Sequence, residues 1–223
     1  RQRRWEELNQ VLATSKRRRV KSDDVSYSTA FSYSKWSEVG PIFERDTRNY
    51  TENVLPIPDS DLEVLSKVLS WVYKSYSEGL LFTSDCESKR IHLIAPILWS
   101  VVQLLPNIKV DVEKDFDGNR VHAHGHFEFV LIRGSKRICI VEAKKEQFEQ
   151  GAAQCLLGCE VAADLDNIHE VFGIVTNFEK WIFLKSLDNE ILVDECNVLS
   201  FINGMPHRAQ LSFVVGKLYS LLL

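Results

Sequence analysis

The sequence predicts an α/β fold: a mixed central sheet of about five strands flanked by helices. Three observations carry this. Between residues 109 and 144, three segments with strand-like alternation follow one another across two tight turns. A long helical pattern comes directly after them, and further strand-like runs and a closing helix complete the chain. Apolar residues make up 45% and charged residues 26% of the 223, the balance of a globular chain with a sizeable core. No run approaches the ~18 uninterrupted apolar residues of a membrane span, so no membrane partner is expected.

Residues 1–58 read as a basic N-terminal extension and residues 59–223 as the main domain. Trp5 to Ala13 can form a short helix with Trp5, Leu8 and Val11 or Leu12 on one side. The run Lys16-Arg17-Arg18-Arg19-Val20-Lys21 ends it, and Ser22 to Ser34 reads as an extended linker. Asp59-Ser60-Asp61 caps a helix to about Glu78, stopped by Gly79, with Leu62, Leu65, Val68, Leu69, Val72 and Tyr76 on its apolar face. A second helix starts near Ser84-Asp85 and closes before Pro106, with a kink or break expected at Pro96. Lys109 to Asp115, Arg120 to Ile132 and Arg137 to Lys144 are the three strands, turned at Asp117-Gly118-Asn119 and Gly134-Ser135. Glu146 to Asp164 is a helix. Val171 to Thr176, Trp181 to Lys185 and a short stretch near Ile191 to Val193 are strands, and Arg208 to Leu222 is the last helix.

The net charge of −4 hides an asymmetry. Residues 1–22 hold eight basic side chains against Glu6 and Glu7, a charge of +6, so the other 201 residues carry −10. A basic arm on an acidic body points to nucleic acid, or to a nuclear import receptor that would read Lys16 to Lys21. The five cysteines (Cys86, Cys139, Cys155, Cys159 and Cys196) are odd in number and form no CxxC pair, which indicates reduced thiols. On that reading Asn49-Tyr50-Thr51 is a chance match to a glycosylation sequon. The first residue is Arg1 rather than Met, as expected of a processed or excised piece.

The chemistry concentrates in Cys139-Ile140-Val141-Glu142-Ala143-Lys144. An apolar strand that ends in an acid and a base leaves charges at a core margin, where they are costly unless used. Period-two geometry puts Glu142 and Lys144 on one face. There a carboxylate can hold a divalent metal while the ammonium orients water or stabilises a phosphorane-like transition state. A second acid comes from the preceding strand: a hairpin centred on residue 135 lays Glu128 almost directly opposite Glu142.

An acid on one strand, a hairpin, an apolar strand ending in Glu-x-Lys and then a Gln-bearing helix resembles the PD-(D/E)XK nuclease superfamily, best from Gly125 to Gln154. The resemblance implies a restriction-endonuclease-like core and Mg²⁺ or Mn²⁺ held by Glu128 and Glu142, with Lys144 assisting the chemistry. It also implies that Glu87, early on a helix ahead of the three strands, holds a metal water, and that Gln154 faces the site. Two departures stand out: Glu128 replaces the usual Asp, and Gly158 stands four residues after Gln154 where the Gln-x-x-x-Tyr form has Tyr. The segments Glu87-Ser88-Lys89-Arg90, Glu142-Ala143-Lys144-Lys145 and Gly173-Ile174-Val175-Thr176-Asn177-Phe178 are together similar to the nuclease-like C-terminal domains of Crinkler-type effectors of oomycetes and fungi, over about Asp59 to Lys185. That implies a secreted protein that reaches a host nucleus and acts on DNA ahead of RNA, with the cytoplasm as the alternative location.

Plainer readings stand beside these. Alone, Glu142 and Lys144 would be an ordinary ion pair at a strand end. His122, His124 and His126 alternate and should share one face with Glu128, but they spread over ~13 Å, too far for one ion. Lys89, Arg90, Lys136, Arg137 and Lys145 read equally as phosphate contacts or surface charges. Trp71, Trp99 and Trp181 read as core, and Cys155 and Cys159 as packed inward. The alternative functions are a catalytically silent nuclease-fold module that binds nucleic acid or host protein, and an interaction domain acting on host proteins alone.

Overall fold

The computed structural model describes residues 1–14, 18–20, 27–76, 88–144 and 146–223. Their helices are α1 (Gln2–Ala13), α2 (Trp36–Glu44), α3 (Asp59–Ser75), α4 (Ser88–Val102), α5 (Phe148–Asp166) and α6 (Arg208–Leu222). The strands are β1 (Arg18–Val20), β2 (Tyr27–Ala30), β3 (Thr47–Asn49), β4 (Ile108–Asp117), β5 (Ala123–Arg133) and β6 (Lys136–Ala143). β7 (Glu170–Thr176), β8 (Lys180–Leu187), β9 (Ile191–Val198) and the two-residue pair β10 (Phe201–Ile202) and β11 (Met205–Pro206) follow.

Nine strands join in one mixed sheet, in the order β1-β2-β5-β6-β7-β8-β9-β3, with β4 also paired to β5. β4, β5 and β6 are antiparallel, and α5 carries the chain across to β7, which pairs parallel to β6. β7, β8 and β9 form a second antiparallel meander. The expected α/β class with a mixed sheet is what the chain forms. β4 to β9 make six of these strands, and β1, β2 and β3 bring the sheet to nine; at three or four residues they are too short to show an alternating pattern. β2 lies inside the stretch read as a linker and pairs parallel with β5 at Ala123 and His124.

Both faces of the sheet are covered. α3, α4 and α6 supply one core, with Leu69, Ile97 and Val214 fully buried. α1, α2 and α5 supply the other, with Leu8, Val39 and Leu157 fully buried. This explains the near-continuous burial of β7 and β8, since strands covered on both faces have no solvent side. Trp181 is fully buried as expected, whereas Trp71 (65% exposed) and Trp99 (51% exposed) are not core residues. The buried stripe of α3 runs through Leu62, Leu65 and Leu69, and Trp71, two residues on, turns to the opposite side of the helix. α4 continues through Pro96 without a break, and buried Leu93, Ile94, Ile97 and Leu98 hold it on either side. Cys155 and Cys159 are buried thiols, like Cys139.

Two buried polar clusters lock the ends of the chain to the body. The Glu160 carboxylate on α5 is fully buried and accepts from Trp5 Nε1 (2.6 Å), Ser186 Oγ (2.6 Å) and Arg4 (2.9 Å). At the other end Lys217 of α6, 1% exposed, donates to Asp194 (2.6 Å) and Asn197 (2.7 Å). Each buried charge is thus paired and hydrogen-bonded, the condition under which burial is tolerable. The Lys217 ammonium, the Glu52 amide and Asn197 together offset burial and hold the Asp194 carboxyl below its ordinary range.

α5 lies unusually close to the sheet. A Cβ at Gly158 would meet the Phe127 ring at 2.3 Å, and that ring is itself wedged against Phe31 (centroids 4.9 Å) and Phe116 (5.4 Å). Gly158→Ala is therefore expected to destabilise the chain by about 1–3 kcal/mol through overpacking, despite the better helix propensity of Ala. Adding Phe127→Leu should recover part of that loss. Urea denaturation of the single and double variants measures both effects, and a Gly158→Ala protein as stable as wild type would contradict the packing.

Candidate active site at the end of β6

The hairpin β5–β6 contains one irregularity. Arg133 pairs with Lys136 and Ile132 with Arg137, but Leu131 pairs with Cys139, leaving Ile138 as an extra residue in β6. The bulge moves the register by one, so the ladder continues as Val130↔Ile140 and Phe129↔Val141 and brings Glu128 level with Glu142. There the ladder opens. Glu128 Oε2 accepts from the Ala143 amide at 3.2 Å, so a side chain replaces the next backbone bond between the strands.

β5 also changes face at this point. Phe127 packs in the core beneath α5 and Phe129 in the core on the opposite face, although residues two apart on a regular strand share a side. Across from Glu128, between the pairs Val112↔Phe129 and Lys114↔Phe127, Glu113 adopts a left-handed backbone (φ 49°), rare for a side chain of that kind. The common face expected for His122, His124, His126 and Glu128 therefore does not extend to Glu128, because the alternation resets there. His124 Nδ1 instead lies 2.8 Å from Ser28 Oγ on β2, and His126 is exposed.

Glu142 and Lys144 share the face beneath α5. Lys144 Nζ is 2.7 Å from Glu142 Oε1, and the Lys144 amide donates to Thr176 O at 2.9 Å, which ties the triplet to the end of β7. A Cβ at Gly151 would stand 2.8 Å from Lys144 Cγ, so the first turns of α5 clear the lysine only because residue 151 has no side chain. Gln154 lies on the next turn, 8% exposed, and its Oε1 is buried without a hydrogen-bond partner among the described residues. One turn earlier Gln150 donates to Ser34 O at 2.7 Å, and the Ser34 hydroxyl is likewise buried without a partner among the described residues. Ser34 carried no sequence signal, since it ends the stretch read as a linker.

Glu128, Glu142, Lys144 and the Gln154 helix thus converge at one end of β6. Glu87 falls outside the described residues, as do Lys145 and much of the Lys16 to Lys21 run. Among the described residues no group of three or more His, Cys, Asp and Glu side chains is spaced to hold a metal ion. Gly158, in place of the expected Tyr, is accounted for by the Phe127 ring that fills the space.

Several basic residues have internal duties. Arg90, 3% exposed, donates to Asn177 O (2.9 Å), and Arg137 is paired with Asp166 (2.6 Å). In the N-terminal segment Arg3 pairs with Asp46 (2.6 Å), and Arg1 and Arg4 with Glu160. Lys136 is exposed.

Burial, then the adjacent Glu128 carboxylate, pushes the Glu142 carboxyl up to about 8, against the partial relief given by Lys144. The folded chain then keeps a proton that the unfolded chain, with an ordinary value of 4.5, has released. Stability is expected to fall as pH rises from about 4.5 to about 8 and to level off above it. Glu142→Gln should flatten that slope, as followed by thermal melts across the range; an unchanged slope would place the carboxyl in a wetter, unperturbed setting.

No protein-family model matches the chain. Crinkler effector protein 5 of Phytophthora infestans is 36% identical over all 223 residues. The chain spans 62% of the length of that protein. Identity at this level along the whole chain supports a relationship of the Crinkler type.

Proposed function

We propose that the chain is a divalent-metal-dependent nuclease that hydrolyses phosphodiester bonds, of DNA ahead of RNA, and works as an effector inside host cells, in the nucleus. The observation that carries the catalytic part is the pair Glu128 and Glu142, held level by the bulge at Ile138, with Lys144 against Glu142. Similarity to a protein named as a Crinkler effector supports the effector part.

The donor set suits a hard cation. It is all oxygen: two adjacent carboxylates, one of them raised by burial and then by the other, and the amide oxygen of Gln154, buried without a partner among the described residues. Glu128 and Glu142 would hold Mg²⁺ or Mn²⁺, with Glu87 as a further candidate. Such an ion supplies positive charge to the phosphate and a more acidic water. The protein's own part is positional. Lys144, 17% exposed at its side chain, presents an ammonium beside Glu142, where negative charge on a phosphoryl group would be stabilised as attack proceeds. The Thr176 and Gly151 contacts hold that lysine in one orientation.

A nuclease assay on plasmid and single-stranded DNA, with RNA in parallel and Mg²⁺ or Mn²⁺ added, tests the reading. Metal-dependent cutting is expected, reduced about 10²–10³-fold or more in Glu142→Ala and in Lys144→Ala. A folded wild type that cuts nothing, or variants that cut as well as wild type, would favour the silent binding module instead.

A further inference from the structure

A cavity of about 430 Å³ lies between α2, the start of α5 and strands β8 and β9. Its floor is apolar and made of buried side chains: Leu156, Ile182, Leu184 and Val193. Trp36 and Phe148, both half-buried, form aromatic walls. The indole of Trp36 is held over its own helix at Gly40, where a Cβ would meet ring atoms at 2.8 Å, and its Nε1 donates to Glu44 at 3.2 Å. Glycine inside a helix costs up to about 1 kcal/mol relative to Ala, so the position of this wall is specified by the sequence against local preference.

The mouth is acidic. Glu44, Glu149 and Glu195 are exposed on it, and none is in an ion pair among the described residues. The basic residue there is Lys180, whose ammonium lies 4.9 Å from the centre of the Phe148 ring. The cavity therefore already houses one cation on an aromatic face, and the site keeps a net negative charge around it. Such a rim repels phosphate, which separates this cavity from any nucleic-acid path. A second, more open hollow of about 630 Å³ shares Trp36, Phe148 and Glu149 with it, so the cleft continues past the aromatic pair.

We propose that this cleft binds a basic segment of a partner protein, taking an Arg or Lys side chain between Trp36 and Phe148. The aliphatic stem lies on the apolar floor and the cationic head meets Glu149 and Glu195. Continuity with the second hollow fits an extended chain rather than an isolated amine. The inference does not depend on the nuclease reading, because it uses neither Glu142 nor Lys144.

The test is a titration of the whole chain with a short acetylated tri-arginine peptide, followed at the Trp36 indole N–H by NMR, with the signal assigned through Trp36→Phe. A tri-glutamate peptide and a single-stranded oligonucleotide serve as comparisons. Saturable shifts with the arginine peptide are expected, weakened about tenfold in Glu149→Gln/Glu195→Gln, since two exposed ion pairs are lost. Both glutamates are exposed, so an unchanged melting temperature would show that the variant still folds. Equal response to the glutamate peptide, a response to the oligonucleotide alone, or undiminished binding by the double variant would overturn the proposal.

Discussion

The close approach of α5 to the sheet is the constraint on which the rest depends. Two gaps in the helix face make it possible: Gly151 over Lys144 and Gly158 over the Phe127 ring. Gln154 lies between them on the helix and is 8% exposed, and Glu142 on β6 is 4% exposed. The same helix carries Glu160, the buried acid that gathers Arg4, Trp5 and Ser186, so α1 and β8 are referenced to it as well. A small change in the height of α5 would disturb the core, the N-terminal helix and the candidate site at once.

Beneath that helix the sheet is irregular where function is proposed, and it shifts register once more between β8 and β9, from Trp181 to Phe183. The extra residue at Ile138, the change of face at Glu128 and the left-handed Glu113 fall on three adjacent strands. Backbone irregularity of this kind is usually held in place by surrounding structure for a purpose. Here its effect is to part β5 from β6 just enough for one carboxylate to bond the neighbouring backbone while lying beside a second. Two acids and one lysine in so dry a setting are a poor device for stability alone.

Much of this was legible in the sequence. The tight turn at Gly134-Ser135 and the fourteen-residue spacing of Glu128 and Glu142 pointed to the two acids lying almost opposite each other. The structure reaches the same pairing by a less direct route, since the turn alone sets a register one residue off and the bulge restores it. The class of fold and the order of β4 to β9 followed from alternation and turn residues. The edges were not legible: β1, β2 and β3 are too short for periodicity and owe their existence to longer partners. Nor could composition tell that Arg1, Arg3 and Arg4 are spent on internal acids, because those acids lie 42 or more residues away. Trp71 and Trp99 misled for a related reason: helical phase, not residue type, decides exposure.

The most direct test of the account is a crystal structure of the chain soaked in millimolar Mn²⁺, with anomalous scattering used to find the metal. The account requires an anomalous peak bound by both Glu128 and Glu142, at distances of about 2.0–2.2 Å, with Lys144 turned toward the open side of the ion. Crystals that show no metal there, with Lys144 still paired to Glu142, would contradict it and leave the two acids and the lysine as a buried structural cluster.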